Sequence, residues 1–310
     1  MKRLMSISLV ALLALPLLAQ ETAAEPKNKK VVKDYSEWLP KQGDWSVGFS
    51  LNPIATFVGN IFNGNTSNAL DNLAGEVLAG EQLGLSNPLV SIVGSYMQTD
   101  KLSWKLNLGL GYSHKTNNAY VLDDAALYLD PLSRQKVVDS ETYDRLFGSV
   151  AFGIEYRVGK SLPVQGVFGA GLNYAFGHVS YDYNYGNAIT ELNQKPTLNN
   201  PSLYEAVAGY MPNARPLHTE TTDMIHMIGA YASIGVECFV APKVALGANV
   251  NFGIYYGLTP ARSNTYEGWN TTSMQVEEYT DLLTPASNGF HIGTENIGAN
   301  LYIAFYFNGK

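Results

Sequence analysis

The sequence contains little cysteine, little charge and no long hydrophobic run after its first segment, and each scarcity excludes a class of protein. Cys238 is the only cysteine, so no disulfide bond can form within the chain even in an oxidising compartment. Beyond the N-terminal segment no apolar run approaches the roughly 18 residues of a membrane-spanning helix, which excludes a helical membrane protein. With a formal net charge of −7, the chain lacks the excess of positive charge that is typical of nucleic-acid-binding proteins.

Motifs of common enzyme and cofactor chemistry are also missing from the sequence. No glycine-rich phosphate-binding loop follows a strand and opens a helix. No cluster of histidine, cysteine or acidic residues has the spacing of a metal site. We therefore expect no metal, no cofactor and no nucleic-acid partner, and we do not expect an enzyme.

Two N-terminal segments are predicted to lie outside the folded domain. Lys2 and Arg3 precede an apolar stretch at 7–18 with a small-residue cleavage site, so residues 1–19 are predicted to be a secretory signal peptide. Residues 20–42 are polar and lysine-bearing, and we expect a flexible periplasmic arm. This arm either leads plainly into the first strand or docks a periplasmic partner or negatively charged headgroups. Residues 43–310 are predicted to form the membrane domain.

What the sequence does contain is a repeated alternation of side chains, which is clearest at 297–307 (IGANLYIAFYF). Successive side chains of a strand point to opposite faces, so this segment has one apolar face and one of glycine, asparagine, alanine and tyrosine. Its length suits the roughly 9–11 residues with which a tilted strand crosses a bilayer. Further strands are predicted at 45–57, 89–98, 102–113, 148–157, 164–176, 228–240 and 244–254.

The connections between these strands alternate between short and long. Short turns lie at 100–101, 159–162 and 241–242, whereas the connections near 58–87, 115–145, 186–224 and 258–292 are long. This asymmetry is typical of outer-membrane barrels. The sequence therefore predicts an all-β, antiparallel, up-and-down transmembrane β-barrel of eight strands in the outer membrane, with short periplasmic turns and long extracellular loops. Ten strands are predicted instead if the segment 118–129 (NAYVLDDAALYL) enters the wall.

Lipid is the apolar solvent of such a barrel, so the aliphatic and aromatic face of each strand is predicted to point outward. Aromatic residues are expected to form a girdle at each membrane interface. The expected girdle members are Trp104, Tyr156 and Phe307 at the periplasmic rim, and Tyr112, Tyr174 and Tyr256 at the outer rim.

Short stretches at both ends of the predicted barrel resemble a known group of proteins. Residues 45–53 (WSVGFSLNP) and 57–64 (FVGNIFNG) are similar to the opening of abundant Bacteroidota outer-membrane β-barrel proteins. The final strand ends on Phe305–Phe307, which resembles the signal recognised by the barrel-assembly machinery of such membranes. The overall plan resembles OmpA/OmpX-type eight-strand barrels. This resemblance implies location, topology and a contact with the assembly machinery during insertion, but no agreed activity.

Four charged residues are predicted to point into the barrel near its periplasmic end. They are Lys105, Glu155, Arg157 and Glu237. An unpaired charge inside a barrel is costly, so we expect the four to compensate one another. Small eight-strand barrels are filled by side chains, which favours an ionic plug over a conduction filter.

Two other sets of residues are candidates for contacts with the envelope. A helix predicted at 68–79 carries an apolar stripe that either packs over the barrel mouth or binds a partner protein; its members are Leu70, Leu73, Val77 and Leu78. Four histidines lie just beyond the outer ends of their strands, where they are either ordinary rim residues or contacts to lipopolysaccharide phosphates; they are His114, His178, His226 and His291.

Three functions follow from these patterns. The first is a structural or interaction role in the cell envelope, including that of a subunit in a larger outer-membrane assembly with envelope protein partners. The second is a narrow porin whose path is lined by the four inward charges. The third is a lipid A-modifying enzyme, because His178 and Ser180 share a face two residues apart and resemble the histidine–serine pair of lipid A deacylases. The resemblance implies a carboxylate beside the histidine; Asp182 follows on the same face, and Glu220 or Asp223 is the alternative from the next strand.

Overall fold

The computed structural model describes residues 34–50, 90–159, 161–293 and 300–309. The predicted signal peptide, most of the predicted arm and the helix predicted at 68–79 lie outside these ranges. Within the part of the chain from Tyr35 onward the described residues form one compact unit. No helix among them is long and apolar enough to cross a membrane.

The described residues are almost entirely β-structure. The strands are β1 (Trp45–Ser50), β2 (Val90–Met97), β3 (Leu102–Leu122), β4 (Lys136–Val158), β5 (Val164–Asn184), β6 (Glu205–Val207), β7 (Met211–Thr221), β8 (Ile225–Ala241), β9 (Val244–Thr259), β10 (Arg262–Asn270), β11 (Gln275–Thr284), β12 (Ser287–Gly293) and β13 (Asn300–Phe307). One short α-helix, α1 (Asp124–Leu129), and one 3₁₀ turn (Pro201–Leu203) interrupt them.

Eight of these strands close into an antiparallel ring, which confirms the predicted barrel. The order around the ring is β1, β2, β3, β4, β5, β8, β9 and β13. The ring closes at β1, where Trp45 pairs with Tyr96 of β2 on one side and with Phe307 of β13 on the other. The ten-strand alternative is wrong, because residues 118–122 continue β3 and residues 124–129 form α1.

The long connections contain far more strand than the sequence predicted. β3 and β4 remain paired as far as Leu122 and Lys136, well beyond the predicted strand ends. β7 pairs with β5 and β10, and β10 pairs with β11, so the wall continues as an extended sheet. We call this end of the barrel the hairpin end and the opposite end, with its short connections, the turn end. Backbone N–H and C=O groups form hydrogen bonds with a neighbouring strand whatever the side chains are. Alternation of apolar and polar side chains marks only those residues of a strand whose two faces meet different environments.

The outer and inner faces of the wall differ as predicted from the alternation. On β3, residues from Trp104 to Tyr112 expose every second side chain on the outside, whereas Ser103 and Lys105 are buried inside. Strand β2, whose faces were ambiguous in the sequence, exposes Ile92 and Tyr96 and buries Met97. The six aromatic residues predicted for the girdles are all exposed on the outer face: Trp104, Tyr112, Tyr156, Tyr174, Tyr256 and Phe307.

Residues 35–42 do not form a free arm; they cross the turn end. The Tyr35 amide donates to the carbonyl of Ser161, and the Gln42 amide donates to the carboxylate of Asp100. The carbonyl of Trp38 accepts from the Lys243 amide. These three contacts tie the segment to all three short turns of the ring. Half-buried Trp38 packs against the apolar cluster inside the turn end, which gives this segment a tertiary partner that lysine content alone does not reveal.

Candidate functional site

The structure brings the four predicted inward charges together in one buried layer near the turn end. Their side chains lie on β3, β4 and β8, and Lys105, Glu155, Arg157 and Glu237 are 9%, 3%, 3% and 1% exposed. Lys105 Nζ lies 2.6 Å from Glu155 Oε2, and an Arg157 guanidinium nitrogen lies 2.9 Å from Glu237 Oε2. The same nitrogen is 3.7 Å from Glu155 Oε1, which links the two pairs.

Strand geometry explains how residues distant in sequence meet in this layer. Glu155 and Arg157 are two residues apart on β4 and therefore share its inner face. Lys105 pairs across the sheet with Gly153, which is two residues from Glu155 on the same face of β4, and the long lysine side chain spans that offset. Two positive and two negative charges are thus held within one network, which offsets the cost of removing each from water.

Two tyrosines that sequence reasoning did not select complete the network. Tyr302 donates a 2.8 Å hydrogen bond to Glu237 Oε1, and Tyr306 lies within 3.2 Å of the same oxygen. The Arg157 guanidinium also hydrogen-bonds the Tyr306 hydroxyl and stacks over its ring. Both tyrosines lie on the inner face of the last strand, so their parity in the sequence was the signal that could have found them.

An apolar cluster packs inside the barrel on the turn side of the ionic network. Phe239, Ala245, Tyr302, Ala304 and Tyr306 form one buried cluster, and Trp38 and Leu39 pack against it from residues 35–42. Met97 is fully buried, and its sulfur lies 3.1 Å from an Arg157 nitrogen. Charged, aromatic and aliphatic groups therefore fill the lumen at this level.

The rim histidines lie at the hairpin end, and the three whose side chains are described each lie beside a partner. His114 Nδ1 is 2.9 Å from Asp144 Oδ1, and His226 Nδ1 is 2.8 Å from the Tyr174 hydroxyl. The backbone of His291 belongs to β12, but its side chain lies outside the described atoms, as do the helix residues Leu70, Leu73, Val77 and Leu78. The negative charge of Asp144 lies beside His114, so the pair as a whole attracts a phosphate less than a lone histidine would.

Of the three carboxylates predicted near His178, the structure brings Glu220 close to its ring. His178 Nε2 lies 3.1 Å from the Thr221 carbonyl and 3.6 Å from Glu220. Asp182 instead bonds His218 at 2.6 Å. His218 was missed in the sequence because it lies within the connection 186–224, where no strand was predicted and no face could be assigned.

The pKa of His218 predicts a pH-dependent pairing between β5 and β7. Burial alone lowers this pKa, but hydrogen bonds to Asp182 and Glu220 outweigh burial and raise it above the ordinary 6.5. Because the pKa of His218 is higher in the folded protein than in the unfolded chain, protonated His218 stabilises the pairing of β5 with β7. This stabilisation is complete when the pH lies below the unfolded-state pKa, and it is lost as the pH rises through the folded-state pKa. We expect amide exchange at Tyr181 and Thr219, corrected for intrinsic rate, to accelerate above that pH. His218→Gln should remove the dependence, and an unchanged pH profile in that variant would contradict the assignment.

No group of three or more histidine, cysteine or acidic side chains within the described ranges is placed to hold a metal ion.

The sequence matches no model of a known protein family and no curated protein. Among solved structures, the outer membrane protein OprG from Pseudomonas aeruginosa is similar at 10% identity and a TM-score of 0.28, over 87% of this chain and 99% of OprG. A major outer membrane protein from Thermus thermophilus is similar at 14% identity and a TM-score of 0.31, over 70% of this chain and 90% of that one. These scores are too low to support any further assignment, so the barrel rests on the strand pairing of this chain itself.

Proposed function

We propose that this chain is an integral outer-membrane β-barrel with a closed lumen that anchors an extended sheet at the cell surface. Its role is structural or interactive: the sheet is held for contact with other envelope components, and no reaction is catalysed. The turn end faces the periplasm and the hairpin end faces the exterior. The observation that carries this proposal is the ionic and aromatic layer that fills the lumen near the turn end.

Membrane insertion is supported by the continuous apolar exterior of the ring. At every second position of β3 from Leu102 to Tyr112, ten residue steps, the side chain is large and apolar. At roughly 3.3 Å per residue this band runs about 33 Å along the strand, and a strand tilt of roughly 35–45° makes its height about 25 Å, the height of the apolar band of such barrels. A soluble protein rarely leaves so wide an apolar surface in water. We therefore expect lipid and lipopolysaccharide to surround this apolar band.

A rigid sheet above the membrane is supported by the change of outward residues along the same strands. Beyond Tyr112 the outer face of β3 carries Thr116 and Asn118, and the facing positions of β4 carry Thr142 and Ser140. The Thr116 and Thr142 hydroxyls lie 3.1 Å apart, which adds a cross-strand contact in the polar zone. This polar, paired sheet suits a surface that other envelope proteins contact.

The closed lumen predicts that the purified, folded protein does not conduct ions. Folded protein inserted into planar bilayers is expected to give no single-channel steps, because four charges, two tyrosines and an apolar cluster occupy the path. Folding is checked beforehand by the shift in gel mobility on heating. Discrete steps whose ion selectivity changes in Lys105→Gln would replace this proposal with the narrow porin.

Surface labelling tests the orientation of the two ends. A cysteine placed at Tyr128 of α1, in a Cys238→Ser background, should react with a membrane-impermeant maleimide on intact cells. A cysteine placed at Pro242 in the turn between β8 and β9 should react only after the outer membrane is opened. The reverse pattern would overturn the orientation.

A further inference from the structure

A cleft opens on the inner, concave side of the hairpin end, beyond the level of the apolar band on the outer face of the barrel. Its cavity volume is about 160 Å³, smaller than the roughly 300–1,000 Å³ of sites that enclose a drug-sized ligand, and it is open to solvent, so it can hold only part of a larger ligand. Three strands and one loop segment surround it. The strand residues that this argument uses are Asn117, Ala119, Asp139, Glu141, Tyr183 and Tyr185.

One row across the sheet carries an amide, a carboxylate and an aromatic ring side by side. Asn117 of β3 pairs with Glu141 of β4, and Glu141 pairs with Tyr183 of β5. Directly paired residues of antiparallel strands project to the same face, so the three side chains stand together along the cleft. Within the described ranges, none of their polar side-chain atoms has a hydrogen-bond partner, so all three can bind a ligand.

Two stacked tyrosine rings stand at one side of this row. The rings of Tyr183 and Tyr185 lie 6.4 Å apart with an angle of 6° between their planes. The guanidinium of Arg215 stacks on Tyr185 at 4.1 Å, and the Tyr185 hydroxyl donates to the Pro216 carbonyl at 2.7 Å. Tyr185 is therefore fixed in place, while the Tyr183 hydroxyl stays available to a ligand.

Hydrogen bonds hold the loop wall of the cleft against the strands. The Asp139 carboxylate accepts from the Gly186 amide at 3.0 Å and from the Asn199 amide at 2.9 Å. The Asn187 side chain donates to the carbonyls of Leu122 and Thr197. A wall fixed before binding loses little entropy when a ligand enters.

We propose that this cleft binds an uncharged oligosaccharide. The apolar C–H face of a pyranose ring can pack on the ring of Tyr183, and its hydroxyls can donate to Glu141 and exchange hydrogen bonds with Asn117. The described residues that line the cleft include Asp139 and Glu141 but no lysine or arginine, so acidic sugars are disfavoured. The inference deepens the proposed function and rests on it for one point, the placement of the cleft at the cell surface.

The test is a titration of the folded, full-length chain in detergent with maltotriose, cellotriose, chitotriose and trigalacturonate. Saturable binding of at least one neutral trisaccharide is expected. Tyr183→Ala should weaken it at least about tenfold, or about 1.4 kcal/mol, and Glu141→Gln should weaken it as well. Tyr120→Ala is the matched control, because this tyrosine of β3 is exposed at the same end of the barrel but faces outward.

Three results would overturn the proposal: no binding of any neutral trisaccharide at millimolar concentration, equal affinity in Tyr183→Ala and Tyr120→Ala, or preference for trigalacturonate. Heating-dependent gel mobility confirms that each variant is folded before it is titrated. The titration in detergent does not depend on orientation in a membrane, whereas the maleimide labelling does. Sugar binding with reversed labelling would overturn only the proposed function, and correct labelling without binding would overturn only the sugar site.

Discussion

Arg157→Met is expected to lower the free energy of unfolding by about 3–5 kcal/mol, the usual cost of removing one partner of a buried ion pair. The guanidinium lies 2.9 Å from Glu237 and 3.7 Å from Glu155, and all three side chains are buried. Without it, one negative charge in the layer loses its compensation. Urea unfolding of protein folded into lipid vesicles, followed by tryptophan fluorescence, measures the change.

Two comparison variants separate lost charge pairing from other effects of this substitution. Arg134→Met removes the same group from an exposed site between α1 and β4 and should change stability by less than about 0.5 kcal/mol. Arg157→Met combined with Glu237→Gln should recover much of the loss, because neutralising both partners leaves no buried charge unpaired. If the double variant is as unstable as the sum of its single variants, the network does not act as described.

Gly247→Ala is expected to destabilise the barrel from the opposite wall of the same layer. A Cβ atom at Gly247 would overlap the ring of Tyr302, which is buried and cannot simply move aside. Overpacking of this kind costs about 1–3 kcal/mol. The loss grows if Tyr302 gives up its hydrogen bond to Glu237, since a bond to a charged group contributes about 1.5–3 kcal/mol. The same vesicle unfolding assay reports the result.

The matched control for Gly247 lies on the same strand. Gly257 of β9 has no atom within 4 Å of the position that a Cβ would take, so Gly257→Ala should leave stability within about 0.5 kcal/mol of wild type. Equal effects at the two glycines would show that backbone preference, and not contact with Tyr302, governs both substitutions.

The wall of the barrel was predictable to the extent that its strands separate two solvents. Strands β8 and β9 begin and end within a few residues of their predicted bounds, because lipid on one side and a crowded lumen on the other impose strict alternation. The same rule failed for β7, β10 and β11, whose side chains are not sorted between lipid and lumen. Their pairing depends on neighbouring hairpins that the local sequence does not specify.

The candidate sites differ in how far they could be predicted. Parity alone placed Lys105, Glu155, Arg157 and Glu237 on the inner face, since each lies in a strand with clear alternation. Parity does not state which strands are neighbours, so the contacts of Glu237 with Arg157 and Tyr306 appear only in the closed ring. The oligosaccharide cleft was not predictable, because it needs β5 extended to Asn184 and a loop tied to Asp139.

The sequence by itself determined the class of this protein: an acidic, single-cysteine, all-β chain whose strands have one apolar and one small or polar face. Those properties follow from composition and a two-residue period, which are local. Tertiary structure alone decided that residues 35–42 cross the turn end, that charged and aromatic side chains meet inside the barrel, and that the hairpin end is a continuous sheet with a tyrosine-lined cleft. Each of these depends on which distant segments become neighbours when the ring closes, and the ring closes only when all eight strands pair.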